Sequence, residues 1–463
     1  MSAADLTAET MRDFQDSGAE KHTTIFLGAG ASTTSGLPDW DTFVKRLLVD
    51  SKAVPNHELA SLLLARQDPL LAVESARISE PEKWRHNVRI ALYRGVDQME
   101  PSLLHRAVAA HFIGGNMEDT SLATLNFDPL LEQAIADETG SMATSMVGLD
   151  TDVGNNAVHH LHGVVTPSEI TEVVLSLTEF TDVIADPDAW QLSYLKDALK
   201  RGALIIAGTS YRDPDIRQWL HHALAENGLR HSALVLLARQ GFSLRKDDFD
   251  NVKGALSAQW RAIGMKAVLL EDHADAAQII QELRHLHAPS YLAPQERVSQ
   301  IWKYHDLNFQ TLQESYVGIL ARDAAGLKDA MNTGSLGLTL WLADGQGKLA
   351  RWAAHDRLHL ERSTIRRVET GHDSPWIAGQ ALGDDTMLLK DLEPPGVGRW
   401  RSVLTLPVPV PHPVFPSLSA GVLTVALPDQ AIRYMESSML WSDMVGKISH
   451  DWGNRISTTV FSG

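Results

Sequence analysis

HTTIFLGAGASTTSGLPDWDTFVKRLL, residues 22–48, carries the pattern from which the architecture of the first part of this chain follows. Its apolar run at 24–27 has the length and side-chain type of a short buried strand. Gly28 and Gly30 follow at once, and helical spacing begins near residue 41. A strand that ends in a Gly-rich turn and feeds a helix is a building unit of an open α/β sheet. Glycine lets the backbone turn sharply and approach a ligand, and the N–H groups of such a turn suit a pyrophosphate. The dinucleotide fingerprint G-x-G-x-x-G needs a third glycine where this chain has Thr33, so that pattern fits poorly. The longer string is more specific: Gly28, Ala29, Gly30, Ser32, Ser35, Gly36, Leu37, Pro38, Asp39 and Trp40 at fixed spacing.

Outward from this loop, the alternation continues to about residue 290. The runs TTIFLG, SLATLN, ALIIAGTS, SALVLLA and KAVLLE have strand character, and helical stretches at 41–50, 57–77, 188–200 and 274–287 lie between them. Short buried strands alternating with helices predict a Rossmann-like parallel sheet covered on both faces. The helical spacing at 57–115 predicts a helical insertion in that domain. HAPSYLAPQE, at 287–296, holds two prolines and reads as a linker. After it come a long helical stretch at 296–332 and the hairpin SLGLTLWLADGQGKLARWAAH. A short helix and strand (SPWIAGQALGDDTMLLKDL), the strands RWRSVLTLPVPVP and SAGVLTVALPD, and a final helix at 433–457 complete the chain. The expected organisation is an N-terminal segment (1–21), an α/β domain (22–288), a linker (289–299) and an α+β domain (300–463).

Composition bounds the function. The chain has 463 residues, 44% hydrophobic and 21% charged, as in an ordinary globular protein. A net charge of −17 argues against a nucleic-acid partner, since affinity for phosphate backbones comes from Lys and Arg. No apolar run approaches the ~20 residues that span a bilayer, and the acidic N-terminus lacks a signal-peptide core. A cytoplasmic protein without a membrane partner is expected. With no cysteine, the chain excludes disulfides, thiolate catalysis and Cys-ligated zinc.

Three further segments stand at predicted strand ends: Thr124-Leu125-Asn126-Phe127-Asp128, His160-Leu161-His162-Gly163 and Gly208-Thr209-Ser210. Open α/β sheets bind ligands at such ends. With the first loop, in this chain order, they resemble the sirtuin family over about residues 20–290. The loop resembles the family's NAD-binding loop, and the second segment its Thr-x-Asn-x-Asp. The third resembles the segment with the catalytic histidine, and the fourth the Gly-Thr-Ser that lines the nucleotide site. The resemblance implies NAD as substrate, with Asn126, His162 and Asp128 catalytic. It implies nucleotide contacts from Gly28, Ala29, Gly30, Ser32, Pro38, Asp39, Trp40, Thr124, Gly208, Thr209 and Ser210. Typical sirtuin deacylases carry a four-cysteine zinc ribbon that forms one wall of the acyl-lysine channel. This chain cannot build it, so no zinc or other metal is expected. The element order over 300–460 resembles a GAF domain.

The residue types suit the chemistry. Cleaving the nicotinamide–ribose bond passes through a cation-like ribosyl transition state, as in glycoside cleavage. Asn126 offers a donor and an acceptor, His162 a base near neutral pH, and Asp128 a group to orient either one or to bond a ribose. Each has a plainer reading. Asn126 alone is a strand-end turn residue, and His162 alone a polar residue. Trp40 alone is a core aromatic. His159, His160 and His162 also read as a metal cluster, a reading weakened by the lack of an acidic partner at ligand spacing. Asp213 with Pro214 reads first as a helix start.

Sirtuin-like domains that lack the ribbon and are fused to a second module resemble effectors of bacterial antiviral defence. The expected function is therefore an NAD+ hydrolase that depletes NAD in anti-phage abortive infection. The alternatives are an NAD-dependent deacylase, an ADP-ribosyltransferase, or an inert nucleotide sensor. A homo-oligomer is expected, with a small-molecule or phage-protein trigger at the GAF-like domain.

Overall fold

The computed structural model describes residues 3–96, 99–115, 117–149, 156–171, 173–209, 214–226, 232–392 and 399–461. The chain divides into two compact units. One is Asp13–Leu269; the other joins Met1–Arg12 to Leu270–Gly463.

The first unit is built on seven strands: β1 (Thr23–Leu27), β2 (Thr120–Thr124), β3 (Thr144–Met146), β4 (Ala157–His160), β5 (Ala203–Ala207), β6 (Ala233–Ala238) and β7 (Lys266–Leu270). They form a parallel sheet in the order β3-β4-β2-β1-β5-β6-β7. Every residue of β1, β5 and β6 is buried, which explains why these strands read as unbroken apolar runs rather than alternating ones. Phe26, Leu204, Ile206 and Val235 pack with Leu195, Trp219, Leu220 and Trp260 from the helices on one face. β3 escapes the sequence pattern because it is three residues long and only Met146 in it is buried.

The helical insertion forms as expected, with helices His57–Leu64, Pro69–Ser79, Trp84–Tyr93 and Leu103–Ile113. The single stretch expected at 57–77 is two helices. Pro69 starts the second, and Asp68 caps it by accepting from the Leu70 N–H at 2.9 Å. Val73, Val88 and Leu92 of this module share a cluster with Phe43, Val44 and Leu47, and with Phe127, Leu130 and Val165. The insertion thus buttresses the turns that follow β2 and β4.

The second unit holds a six-stranded antiparallel sheet of β8 (Gly337–Ala343), β9 (Lys348–Ala354), β10 (Arg367–Glu369), β11 (Leu388–Asp391), β12 (Ser402–Val410) and β13 (Leu418–Leu427). Its order is β10-β9-β8-β13-β12-β11. The expected hairpin is β8–β9. Asp344 Oδ1 closes its tip by accepting from the Gln346 and Lys348 N–H groups at 2.8 and 3.1 Å. The helical stretch at 296–332 is two helices, Pro294–Leu307 and Phe309–Ala330. Asn308 interrupts it: its side-chain amide donates to the Tyr304 carbonyl at 2.9 Å, a local bond that competes with helix continuation. The final helical region is likewise two pieces, Ala431–Met435 and Ser442–Phe461. Among the described residues, no helix is long and apolar enough to cross a membrane.

Candidate functional site

Register brings the four sequence segments together. In the parallel ladder Leu27 pairs with Thr124 on one side and with Ala207 on the other, and Thr124 pairs with His160. The carboxyl ends of β1, β2, β4 and β5 therefore lie side by side. After β1 the chain builds the sheet in one direction through β2 and β4, then returns to place β5 on the other side of β1. The crevice at such a switch point is where open α/β sheets bind ligands.

The first loop turns out of β1 at Gly28 and enters a short helix, Gly30–Thr33. Gly28 N–H donates to the Ala207 carbonyl at 2.9 Å, and Gly30 N–H to the Gly208 carbonyl at 2.7 Å. A Cβ on either glycine would lie 2.8 Å from the Gly208 oxygen. These two glycines are therefore required by the neighbouring strand end, whatever they offer a ligand. Gly208 has a left-handed φ of +70°, a conformation natural to glycine. Thr209 is buried beside it. Ser210 and Asp213 lie outside the described residues.

Further along the loop, Ala29 is exposed, Pro38 is half-buried, and Asp39 caps the helix Trp40–Asp50. Asp39 Oδ1 accepts from the Thr42 N–H at 2.7 Å. Trp40 is half-buried with its ring 6.0 Å from that of Phe43, and Phe43 is 6.2 Å from Phe127. Its place in this aromatic row accounts for its packing.

Ser32, Asn126 and Asp128 form the polar centre, and all three are buried. Thr124 is buried with them and shapes their turn. Its hydroxyl donates to the Leu27 carbonyl at 3.0 Å and accepts from the Asn126 N–H at 2.9 Å. Asn126 Nδ2 donates to Ser32 Oγ at 2.7 Å. The Ser32 hydroxyl in turn serves the Asp128 carboxylate. Its single proton is thus directed to Asp128, and it accepts from Asn126. Asn126 Oδ1 has no hydrogen-bond partner among the described residues although it is buried. A buried acceptor without a donor is costly. Burial pushes the Asp128 carboxyl above its ordinary range, against the Ser32 hydroxyl and the Leu130 N–H, which favour its charged form.

His162 is also buried, inside an aromatic enclosure. Its ring centroid is 5.3 Å from Phe180, 5.9 Å from Trp219 and 6.2 Å from Phe127. Behind this centre lies a pair that sequence reasoning missed. His160 Nε2 is 2.7 Å from Glu132 Oε1, and both side chains are fully buried. His160 Nδ1 is 2.9 Å from the Asn126 carbonyl oxygen. Burial works against a charge on His160, but the Glu132 carboxylate outweighs it and holds the pKa above the usual histidine range. His159 points elsewhere, to the Gly148 carbonyl and the Tyr194 ring. Among the described residues, no group of three or more His, Asp or Glu side chains is placed to hold a metal ion.

The family model described as a SIR2-like domain matches residues 120–267. That match supports a sirtuin-like fold and an NAD-binding, sirtuin-type enzyme domain. Two solved structures are similar over most of their own length. One is Sir2 with the inhibitor EX-527, 2′-O-acetyl-ADP-ribose and a deacetylated p53 peptide; it is 18% identical, with 59% of this chain and 99% of that chain covered and a TM-score of 0.30. The other is Sir2Tm bound to a propionylated peptide; it is 17% identical, with 60% and 99% covered and a TM-score of 0.30. No curated protein matches this chain.

Proposed function

We propose that this chain is an NAD+ hydrolase that cleaves the nicotinamide–ribose bond. The observation that carries the reading is the buried Asn126 carboxamide: Nδ2 is anchored to Ser32, while Oδ1 has no donor among the described residues. A ribose hydroxyl, or the attacking water, supplies the donor that Oδ1 lacks. Asp128, held beside Ser32, is the second polar contact for the ribose. The exposed Ala29, with Gly28, Gly30, Gly208 and Thr209, is the cradle for the phosphates and the adenosine half. Pro38, Asp39 and Trp40 bound the nicotinamide side.

In the reaction, the bond from ribose C1′ to the nicotinamide ring nitrogen breaks, and its electron pair leaves with nicotinamide, which becomes neutral. Water oxygen bonds to C1′, and His162 takes the water proton before releasing it to solvent. The products are nicotinamide, ADP-ribose and one proton. The aromatic enclosure of His162 excludes other water and keeps the ring oriented.

The test is nicotinamide release from NAD by purified protein, with and without infected-cell extract. Asn126→Ala and His162→Ala should each lower turnover ~10²-fold or more without unfolding the chain. A chelator should leave the rate unchanged. Near-normal turnover in either variant would sink the site assignment. Rapid deacylation of an acyl-lysine peptide with no consumption of NAD alone would replace this reading by a deacylase.

Depletion of cellular NAD in anti-phage defence is the biological role that goes with this chemistry. The second unit is the natural place for its control. Its antiparallel order β10-β9-β8-β13-β12-β11, entered by helices and closed by a helix, supports the GAF-like reading. We assign it the trigger site and a share in a homo-oligomer. Light scattering, and NAD turnover after deletion of residues 300–463, test those two roles.

A further inference from the structure

The ring of His160 stands between two groups that only accept hydrogen bonds. One is Glu132 Oε1 at 2.7 Å from Nε2; the other is the Asn126 carbonyl oxygen at 2.9 Å from Nδ1. A neutral imidazole has one N–H and can satisfy one of them. Both are satisfied when the ring carries two protons. We propose that His160 is a positioning residue of the NAD site. As an imidazolium clamped between Glu132 and the Asn126 carbonyl, it fixes the peptide that carries the Asn126 carboxamide, and NAD cleavage requires that doubly protonated state. This rests on the assignment of Asn126 to NAD cleavage.

The surroundings make the charge state consequential. Glu132 comes from the helix Leu130–Thr139 and also accepts from the Ser145 hydroxyl of β3. Asp128 faces the pair from the turn after β2 and adds to the field that favours a cation. His105, on the helix Leu103–Ile113, feels Glu132, but burial lowers its pKa to about 4 and keeps it neutral. Tyr93 feels Asp128 and Glu132, and its burial keeps the hydroxyl protonated. His159, the neighbour on β4, is lowered by burial. Among the described residues, His160 is thus the cation that faces these two carboxyl groups.

When the ring loses a proton, the charged acceptor keeps its donor. Nε2–H stays with the Glu132 carboxylate, and the Nδ1 lone pair then faces the Asn126 carbonyl. The Asn126 turn then loses the bond that anchored its carbonyl to the His160 ring. The folded-state pKa of His160 is raised, so the contribution is complete below about 6.5 and is lost as pH rises through the higher folded value. NAD turnover should therefore have an alkaline limb set by His160, falling about tenfold per pH unit.

Replacing Glu132 by glutamine separates this from a structural role. The side-chain amide introduced by Glu132→Gln can donate to Nε2, so a neutral ring can keep Nδ1–H on the Asn126 carbonyl. Glu132→Gln should be folded and active, with the alkaline limb removed. The wild-type chain supplies a readout that needs no substitution: ring ¹⁵N NMR should show two protonated nitrogens on His160 at pH 7. The Nδ1 proton should be lost over the pH range where turnover falls. A neutral ring at pH 7 overturns the proposal, as does an alkaline limb that Glu132→Gln leaves in place. If Glu132→Gln fails to fold, the agreement or mismatch between the NMR titration and the wild-type pH profile decides. If the wild-type chain cleaves no NAD at any pH, the hydrolase reading fails. NAD affinity across the same range then decides the positioning role: a loss that follows Nδ1 deprotonation supports it, and constant affinity overturns it.

Discussion

Gly30→Ala tests whether the first loop is glycine-rich for a ligand or for the protein's own backbone. A Cβ on Gly30 would lie 2.8 Å from the Gly208 oxygen and 3.2 Å from both the carbonyl carbon and the Cα of Gly208. All three are backbone atoms, so no side-chain rotation relieves the contact. Gly30 N–H also donates to that same oxygen at 2.7 Å, so pushing the strands apart weakens a bond as well. Overpacking of this kind costs about 1–3 kcal/mol. For a unit of this size each kcal/mol lowers Tm by about 2–4 °C, so the melting point should fall by about 2–12 °C. The assay is thermal unfolding of the full chain without NAD, beside a measurement of NAD affinity well below the transition. Ala29→Ser is the control, because Ala29 is exposed in the same turn, and it should leave Tm unchanged. A Gly30→Ala protein that melts with the wild type but binds NAD poorly would refute the reasoning: the glycine would then serve the ligand alone.

Two further outcomes follow from buried charge. Glu282 and Arg297 form a fully buried ion pair in the second unit, and Arg297 Nη1 also donates to the Pro416 carbonyl at 2.6 Å. Glu282→Ala strands the guanidinium and should cost about 3–5 kcal/mol in a denaturant titration, and a loss under about 1 kcal/mol would contradict the burial. Burial lowers the pKa of His105 and His305 from 6.5 to about 4. The unfolded chain therefore takes up their protons first, and stability should be intact above 6.5 and lost as pH falls from there through 4. Denaturant midpoints that stay flat from pH 7 to 4 would contradict it.

The anchor of Asn126 illustrates what sequence could and could not show. Thr124-x-Asn126-x-Asp128 is visible as a strand-end motif because its spacing is local. Its partners are not local: Ser32 is 94 residues away from Asn126, and Glu132 is 28 residues from His160. The histidine-rich segment was visible, yet the missing signal lay in Glu132, an ordinary acidic residue on a helix. A carboxylate on an amphipathic helix ordinarily faces water, and nothing nearby in sequence marks this one as turned inward.

By itself, the sequence determined the strands whose apolar runs are unbroken, the helices with 3.6-residue spacing, the β8–β9 hairpin tip and the order of the four site segments. Those properties follow from side-chain periodicity and turn residues, which act over a few positions. Tertiary structure alone decided that Leu27, Thr124, Ala207 and His160 end in one row, because that is a matter of register between strands distant in the chain. It also decided that Gly28 and Gly30 press against Gly208, and that His160 is clamped by Glu132. The division after Arg12 and Leu269 is likewise set by contacts, with the first twelve residues joined to the second unit. Each of these depends on which surfaces meet once the sheets have formed, and burial then fixes the protonation and hydrogen bonding of the groups enclosed.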